Sequence, residues 1–138
     1  MTILNFIPAL LFLISSIAGT FTGKVVKVSD GDTIEVMHDG KPERIRLFGI
    51  DCPEISHKSG ETGQPFGQNA KKLTGDLVAG KEVSIIVKDI DRYGRTVGIV
   101  VLNDGTILNE ELLKAGLAWH YGRYDSNEEW QEMEDITR

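Results

Sequence analysis

The sequence predicts an α+β fold, in which a five-stranded antiparallel β-barrel of the OB type carries about three packed helices. Three observations lead to this prediction. Short segments rich in β-branched residues are separated by Asp-Gly turn signals, and helical periodicity begins only after the third such segment. The 138 residues also suffice for one domain with one core, but not for two.

Five segments have the composition or the alternation of β-strands. They span residues 22–30, 31–37, 43–50, 81–88 and 96–102. Turn signals at Asp30-Gly31 and Asp39-Gly40 separate the first three segments, which predicts a meander. The remaining two strands follow the first helix, and we expect all five to close into one barrel.

Three segments have helical periodicity. In the first, Phe66, Ala70, Leu73 and Leu77 form one apolar stripe, and Gly80 follows as a C-cap candidate. The second spans about residues 108–115, and the third spans 127–136 and is short. These helices are expected to cover the barrel.

The first 18 residues contain no charged side chain and have the apolar run of a secretory signal peptide. Ser16 and Ala18 supply the small residues of a cleavage site before Gly19. The alternative is an uncleaved membrane anchor, although the run is short for the roughly 20 residues that a span requires. We expect an exported protein, either secreted, periplasmic or at the cell surface, with one folded domain over residues 20–138. It would contact the membrane only if the leader is retained.

Cys52 is the single cysteine, so no intramolecular disulfide can stabilise the domain. A nucleophilic thiol is one interpretation, but the neighbouring residues offer no obvious general base. We therefore expect Cys52 to contribute through its backbone.

The net charge of −6 argues against tight, sequence-independent binding of polyanions. The acidic residues are concentrated between residues 110 and 138. Basic residues that could create a local positive field beside a pocket lie earlier in the chain, at Lys71, Lys72, Lys81, Lys88, Arg92 and Arg95.

Charged side chains stand at predicted strand ends in three motifs, SDGDT at 29–33, RLFGIDCPE at 46–54 and DRYGR at 91–95. They are Asp32, Arg46, Asp51, Glu54 and Arg95. Taken singly, each is a typical turn or surface residue. Strict alternation would also place Arg46 and Asp51 on opposite faces of a strand, unless Gly49 marks a bulge that resets the register.

In this order, and with a helix between the second and the third, the three motifs resemble the staphylococcal nuclease (thermonuclease) family over about residues 22–125. The segment NEELLKAGLA at 109–118 is similar to the family's second-helix region. The resemblance implies hydrolysis of DNA and RNA, both endonucleolytic and exonucleolytic, that leaves 3′-phosphate ends. The family usually continues its third helix further than this chain does.

The resemblance also implies a calcium site. Asp32 and Asp51 match the carboxylates that hold Ca²⁺, and the backbone carbonyl of Cys52 matches a further ligand. An oxygen-only donor set without a His or Cys cluster favours a hard cation over zinc. Three protein oxygens would leave positions for water and a phosphate oxygen, so we expect weak ion binding without substrate.

The same resemblance implies the catalytic and substrate-binding residues. Glu54 matches the acid that activates the attacking water, and Arg46 and Arg95 match the arginines that bind the scissile phosphate. The nucleotide-binding set is Arg92, Tyr93 and, with weaker correspondence, Tyr124. Because a phosphodiester is already anionic, arginines and a divalent cation supply the neutralisation that hydrolysis requires.

Two other functions remain as alternatives. A non-catalytic OB-fold module that binds nucleic acid or protein would not need these charged residues, and an exported structural domain leaves their clustering unexplained. We therefore expect DNA and RNA as substrates, no stable protein partner and a monomeric chain.

Overall fold

The computed structural model describes residues 19–54 and 66–120. Its elements are β1 (Thr20–Asp30), β2 (Thr33–His38), β3 (Lys41–Leu47), β4 (Ile50–Asp51), α1 (Gly67–Val78), β5 (Glu82–Ile90), β6 (Thr96–Val101), α2 (Leu108–Lys114) and β7 (Trp119–His120). Strands β1, β2, β3, β6 and β5 follow one another around a closed barrel, and β4 pairs with β7 beside it. The predicted α+β class and the OB-like barrel are confirmed.

One pairing in the barrel is parallel, which corrects the prediction of a purely antiparallel arrangement. Strands β3 and β6 run in the same direction, with Ile45 opposite Thr96 and Leu47 opposite Gly98, while the other four barrel pairings are antiparallel. The reason is geometric. Directions that alternate around a ring of five strands cannot alternate at every neighbour, so one parallel pair is required.

Apolar side chains from every barrel strand meet in the core. The buried apolar side chains of the barrel strands include Val25, Ile34, Val36, Ile45, Leu47, Val83, Ile85 and Val100, and helix α2 adds Leu108, Leu112 and Leu113. Full burial of one such side chain stabilises the fold by about 1.5–3 kcal/mol. The barrel interior is therefore a packed core.

Helix α1 packs on β1, and its buried Ala70 lies against the turn between β1 and β2. The buried hydroxyl of Thr74 donates a hydrogen bond of 2.6 Å to the carbonyl of Gly31. A Cβ atom at Gly31 would lie 2.7 Å from the Cβ of Ala70, so glycine permits this close approach. The helix thereby fixes the backbone immediately before Asp32. Phe66 lies at the N-cap and is 67% exposed, so its predicted place in the apolar stripe is wrong.

The strand predicted over residues 43–50 is interrupted. Strand β3 ends at Leu47, Gly49 has a φ of 75°, and β4 begins at Ile50. A positive φ suits glycine because it has no Cβ atom to clash with the backbone. Gly49 thus makes a turn, not an in-strand bulge, and the parity argument that separated Arg46 from Asp51 no longer applies.

Some predictions fall on other parts of the chain. The leader over residues 1–18 and the third helix over 127–136 lie outside the described residues. Within 19–54 and 66–120, no helix has the length and apolar character needed to cross a membrane.

Candidate active site

Arg46 connects the two carboxylates that the sequence places in separate motifs. Its Nη2 donates to Oδ1 of Asp51 at 3.1 Å, and its Nη1 lies 3.4 Å from Oδ2 of Asp32. Nη1 also donates to the backbone carbonyls of Leu47 and Ile50, at 3.1 and 3.0 Å. The guanidinium therefore holds the β3–β4 turn together and fixes both carboxylates around one point.

Asp32 is buried between the end of β1 and the start of β2, and both of its carboxylate oxygens have protein partners. Oδ2 accepts a hydrogen bond of 2.9 Å from the backbone N–H of Cys52, and Oδ1 accepts one of 3.0 Å from the hydroxyl of Thr33. The contact to Cys52 joins positions 20 residues apart. It therefore places the SDGDT motif at 29–33 beside the RLFGIDCPE motif at 46–54.

Asp51 is the more accessible carboxylate of the pair, with 39% of its side chain exposed. Burial is the main cause that raises the pKa of Asp51 above its ordinary value, and Arg46 acts in the opposite direction. The negative charges of Asp32 and Glu54 raise the pKa of Asp51 further. Asp32 and Asp51 thus share one guanidinium, that of Arg46.

Cys52 lies next in the chain and is buried, with 1% exposure. Burial, followed by the charge of Asp32, raises the pKa of its thiol well above the usual range. A protonated, buried thiol is neither a nucleophile nor a metal ligand. This environment agrees with a backbone role for Cys52.

In the loop between β5 and β6, Asp91 fixes the orientation of the Arg95 side chain. Nε of Arg95 donates to Oδ2 of Asp91 at 2.7 Å, and Oδ1 of Asp91 accepts the backbone N–H groups of Tyr93 and Arg95, each at 2.9 Å. Sequence reasoning missed this role of Asp91, because an Asp in a Gly-containing turn usually has only a local function. The side chain of Tyr93 is exposed, and the guanidinium carbons of Arg92 and Arg95 lie 5.1 and 5.7 Å from its ring centre.

These elements enclose one cavity of about 650 Å³. Arg46 and Asp51 line it from the β3–β4 side, and Arg92, Tyr93 and Arg95 line it from the β5–β6 loop. Asp32 and Cys52 join this set through the contacts described above, and Glu54 lies exposed just beyond β4. Eight of the nine predicted site residues thus belong to one region, and Tyr124 lies outside the described residues. Their individual roles remain predictions.

Comparison with known proteins decides the family. The sequence model described as staphylococcal nuclease homologue matches residues 44–137. The chain belongs to the staphylococcal nuclease homologue family. The match includes Arg46, Asp51, Glu54 and Arg95, so the resemblance seen in the motifs is confirmed.

Relatives of the chain carry nuclease names. An "Uncharacterized endonuclease" of Escherichia coli O157:H7 is 40% identical over 125 residues, which cover 89% of this chain and 77% of the relative. A "Micrococcal nuclease" of Shigella flexneri is 38% identical over 112 residues, covering 75% of this chain and 60% of that protein. An "Uncharacterized endonuclease" of Haemophilus influenzae is 43% identical over 104 residues, covering 75% of the chain and 54% of the relative. Together with the family, these similarities support a nuclease function.

The carboxylates of Asp32 and Asp51 are suited to bind a metal ion, as is expected of a staphylococcal nuclease homologue. Among residues 19–54 and 66–120, no group of three or more His, Cys, Asp and Glu side chains is arranged to hold a metal by itself. Asp32 and Asp51 are two neighbouring carboxylates on Arg46, and such a partial oxygen set suits a hard cation with further ligands from backbone, solvent or substrate.

Asn109 is a buried polar residue that supports this staphylococcal nuclease-like site and that sequence reasoning missed. Its Oδ1 accepts the backbone N–H of Val100 at 3.1 Å, and its Nδ2 donates to the carbonyl of Phe48 at 2.9 Å. Phe48 belongs to the turn that Arg46 also holds. Asn109 therefore ties helix α2 and β6 to the turn that positions Asp51.

Replacement of Asn109 by Ala should lower the free energy of unfolding by about 2–3 kcal/mol, because buried backbone groups lose their partners. Urea unfolding at neutral pH measures the loss. Asn103→Ala is the matched control, since Asn103 is exposed and lies in a turn. Equal stabilities of the two variants would contradict the structural role of Asn109.

Asp91 should make the stability of the domain depend on acidic pH. Burial alone would raise its pKa, but the hydrogen bonds from Arg95 and Tyr93 outweigh burial and lower the pKa of Asp91. Its stabilising contribution is therefore present above the unfolded pKa of about 3.9 and is lost as pH falls through the lower folded pKa. Asp91→Asn should be less stable than the wild type at neutral pH, and the difference should shrink below about pH 4.

Urea unfolding of the wild type and of Asp91→Asn at neutral and acidic pH measures how the difference in stability changes with pH. Asp39→Asn is the control, because 92% of the Asp39 side chain is exposed. A stability difference for Asp91→Asn that stays constant across this pH range would show that the carboxylate charge is not involved.

Proposed function

We propose that this protein is a calcium-dependent nuclease that hydrolyses DNA and RNA, acts both within and at the ends of strands, and leaves 3′-phosphate ends. The observation that carries the proposal is the position of Arg46, which holds Asp32 and Asp51 at the edge of a cavity that Arg95 also lines. Nuclease relatives with about 40% identity support the same chemistry. A non-catalytic binding module would have no need for two carboxylates gathered under one guanidinium.

The two arginines have unused donors that suit a phosphate. Within residues 19–54 and 66–120, the contacts of Arg46 occupy its Nη1 hydrogens and one hydrogen of Nη2, so Nε–H and the second Nη2 hydrogen are not used by this part of the chain. In the same part of the chain, Asp91 bonds Nε of Arg95, and both Nη groups are available for substrate. Planar guanidinium groups bind phosphate oxygens in pairs, so Arg46 and Arg95 can bind one phosphate from two sides.

Glu54 supplies the base in this proposal. Its carboxylate follows β4 and is exposed, so it can accept a proton from a water molecule that attacks phosphorus. When the P–O5′ bond breaks, the phosphate stays on the 3′ side, and the 5′ oxygen leaves and takes a proton from solvent to become a hydroxyl. Arg46 and Arg95 stabilise the charge that develops on the phosphate oxygens.

Asp32, Asp51 and the carbonyl of Cys52 would hold the calcium ion. Bound there, the ion would supply additional positive charge to the phosphate. Because these three groups leave its coordination incomplete, ion affinity should increase when nucleic acid is bound.

The exposed ring of Tyr93 favours single-stranded substrates in this proposal. Unpaired bases can stack on an aromatic ring, whereas paired bases are already stacked on their neighbours. Arg92 lies against this ring and adds positive charge, and Tyr124 is the further nucleotide-binding residue. We also propose that the protein works after export, as the apolar leader at residues 1–18 indicates.

Calcium removal should abolish cleavage. A single-stranded oligonucleotide with a fluorophore at its 5′ end is incubated with the protein in calcium, in magnesium, or with a chelator of divalent cations. Cleavage is expected in calcium, with little or none in chelator. Readdition of calcium to the chelated sample is the control and should restore it.

The same products identify the bond that breaks. Treatment with a 3′-phosphatase should change the mobility of the labelled fragments, and a polymerase should extend them only after this treatment. Fragments that a polymerase extends directly would overturn the 3′-phosphate assignment. Activity that persists undiminished in chelator would overturn the calcium dependence.

A further inference from the structure

A second cavity, of about 640 Å³, lies between strand β1 and helix α1, and its lining shares no residue with that of the candidate active site. Lys24 and Lys27 line it from β1, and Lys71 and Lys72 line it from α1. Small or apolar residues lie between them, among them the exposed Val26. We call this cavity the lysine groove.

Most of its positive charge is not neutralised. Lys72 pairs with Asp76 at 2.6 Å, whereas Lys24, Lys27 and Lys71 form no ion pair with a carboxylate of residues 19–54 and 66–120. Among the described residues that line the groove, Asp76 is the one acidic residue. The groove is therefore strongly basic on a chain with a net charge of −6.

The catalytic cavity has no such excess. Arg46, Arg92 and Arg95 are balanced there by three lining aspartates, which are Asp51, Asp89 and Asp91. These arginines can orient one phosphate, and a bound calcium ion would add positive charge only at that point, so the cavity offers little attraction for phosphates farther along a strand. The ammonium groups of the lysine groove can supply that attraction.

Helix α1 forms one wall of the lysine groove and also packs against the turn that carries Asp32. The hydrogen bond from Thr74 to Gly31 and the packing of Ala70 on Gly31 fix α1 against the turn that carries Asp32. Lys71 and Lys72 are therefore on the helix that borders the metal-binding carboxylate. A strand held in the groove is held on the same rigid unit as the catalytic carboxylates.

We propose that the lysine groove binds the phosphate backbone of a nucleic-acid strand, outside the phosphodiester that is cleaved. This inference rests on the proposed nuclease function and names a second binding surface for its substrate. Flexible ammonium groups on two facing walls suit a row of phosphates, and none of the lining residues is aromatic, so base stacking is not expected there. Binding should accordingly depend on salt and not on sequence.

The test uses the double variant Lys27→Gln/Lys71→Gln, which removes one charge from each wall. The control is Lys41→Gln/Lys114→Gln, which removes two exposed charges outside the groove. Both pairs are placed in the full chain carrying Glu54→Gln, so that a labelled single-stranded oligonucleotide of about 20 nucleotides is cleaved roughly 10²-fold or more slowly and its binding can be measured. Fluorescence anisotropy gives Kd at several salt concentrations, and circular dichroism confirms that each variant is folded.

The groove variant is expected to bind roughly 10-fold more weakly at low salt. A plot of the logarithm of the association constant against the logarithm of the salt concentration should have a slope that is less negative by about 1.4. The control should show neither change. With Glu54 restored, the groove variant should lose kcat/KM on the long substrate but not on a dinucleotide.

Equal Kd values and equal salt slopes for the groove and control variants would overturn the inference. This failure differs from failure of the proposed function. If the protein cleaves DNA in calcium but does not bind it through the groove, the proposed nuclease function stands and the groove inference is wrong. If it binds through the groove but does not cleave, the proposed nuclease function is wrong.

Discussion

Replacement of Glu54 by Gln is expected to lower kcat for single-stranded DNA by about 10²–10⁴-fold, the usual contribution of a positioned general base. The amide of Gln has nearly the same size as the carboxylate, but it cannot accept a proton from water at neutral pH. Glu54 is exposed and the replacement keeps its size, so the variant should remain folded. Substrate binding should change little, since the arginines and the lysine groove remain.

Steady-state kinetics in saturating calcium measure this effect. Glu82→Gln is the matched control, because Glu82 is an exposed glutamate at the start of β5 and does not line the catalytic cavity. The control should retain the wild-type kcat. If Glu54→Gln retains it as well, another group removes the proton and the proposed base is wrong.

Replacement of Arg46 by Lys is expected to lower kcat/KM by about 10²–10³-fold, although the positive charge is kept. A lysine ammonium cannot contact the Leu47 carbonyl, the Ile50 carbonyl and Asp51 from two nitrogens and still offer a flat pair of donors to a phosphate. Asp32 and Asp51 would also lose the group that holds them together. The loss should therefore appear in both kcat and KM.

Arg44→Lys is the control for this variant. Arg44 precedes Arg46 by two positions on β3, is exposed, and lies outside the lining of the catalytic cavity. It should keep nearly full activity. Urea unfolding of both variants separates a lost phosphate contact from a lost fold. A folded Arg46→Lys protein with wild-type kcat/KM would show that charge alone suffices at this position.

Together the two variants separate the two parts of the proposed site. Glu54→Gln should reduce turnover while leaving oligonucleotide affinity intact, whereas Arg46→Lys should reduce both. Identical kinetic profiles would indicate that the two residues act as one unit, as groups in one catalytic network often do.

Much of the barrel was predictable because its determinants are local. Turn signals at Asp30-Gly31 and Asp39-Gly40 separate the meander strands, and the periodicity around Ala70 and Leu73 marks the first helix. The parallel pairing of β3 with β6 was missed. It follows from closure of a ring with an odd number of strands, which depends on the whole barrel and not on any one segment.

The residue types of the candidate site were predictable from the sequence, but the contacts between them were not. Alternation along one strand placed Arg46 and Asp51 apart, and only the backbone turn at Gly49 brings them to 3.1 Å. Asn109 lies 61 positions from Phe48, so nothing local indicates that it supports the turn. Lys24 and Lys27 likewise become one surface with Lys71 only because α1 packs on β1.

The sequence by itself determined the family, the barrel with its first two helices, and the set of charged residues that phosphodiester chemistry requires, because each depends on short motifs. The tertiary structure decided which charges face one another, how Asp91 orients Arg95, and where unneutralised lysines gather. The physical reason is that electrostatic interactions depend on distance and burial in space, and segments far apart in the chain acquire both only when the barrel closes.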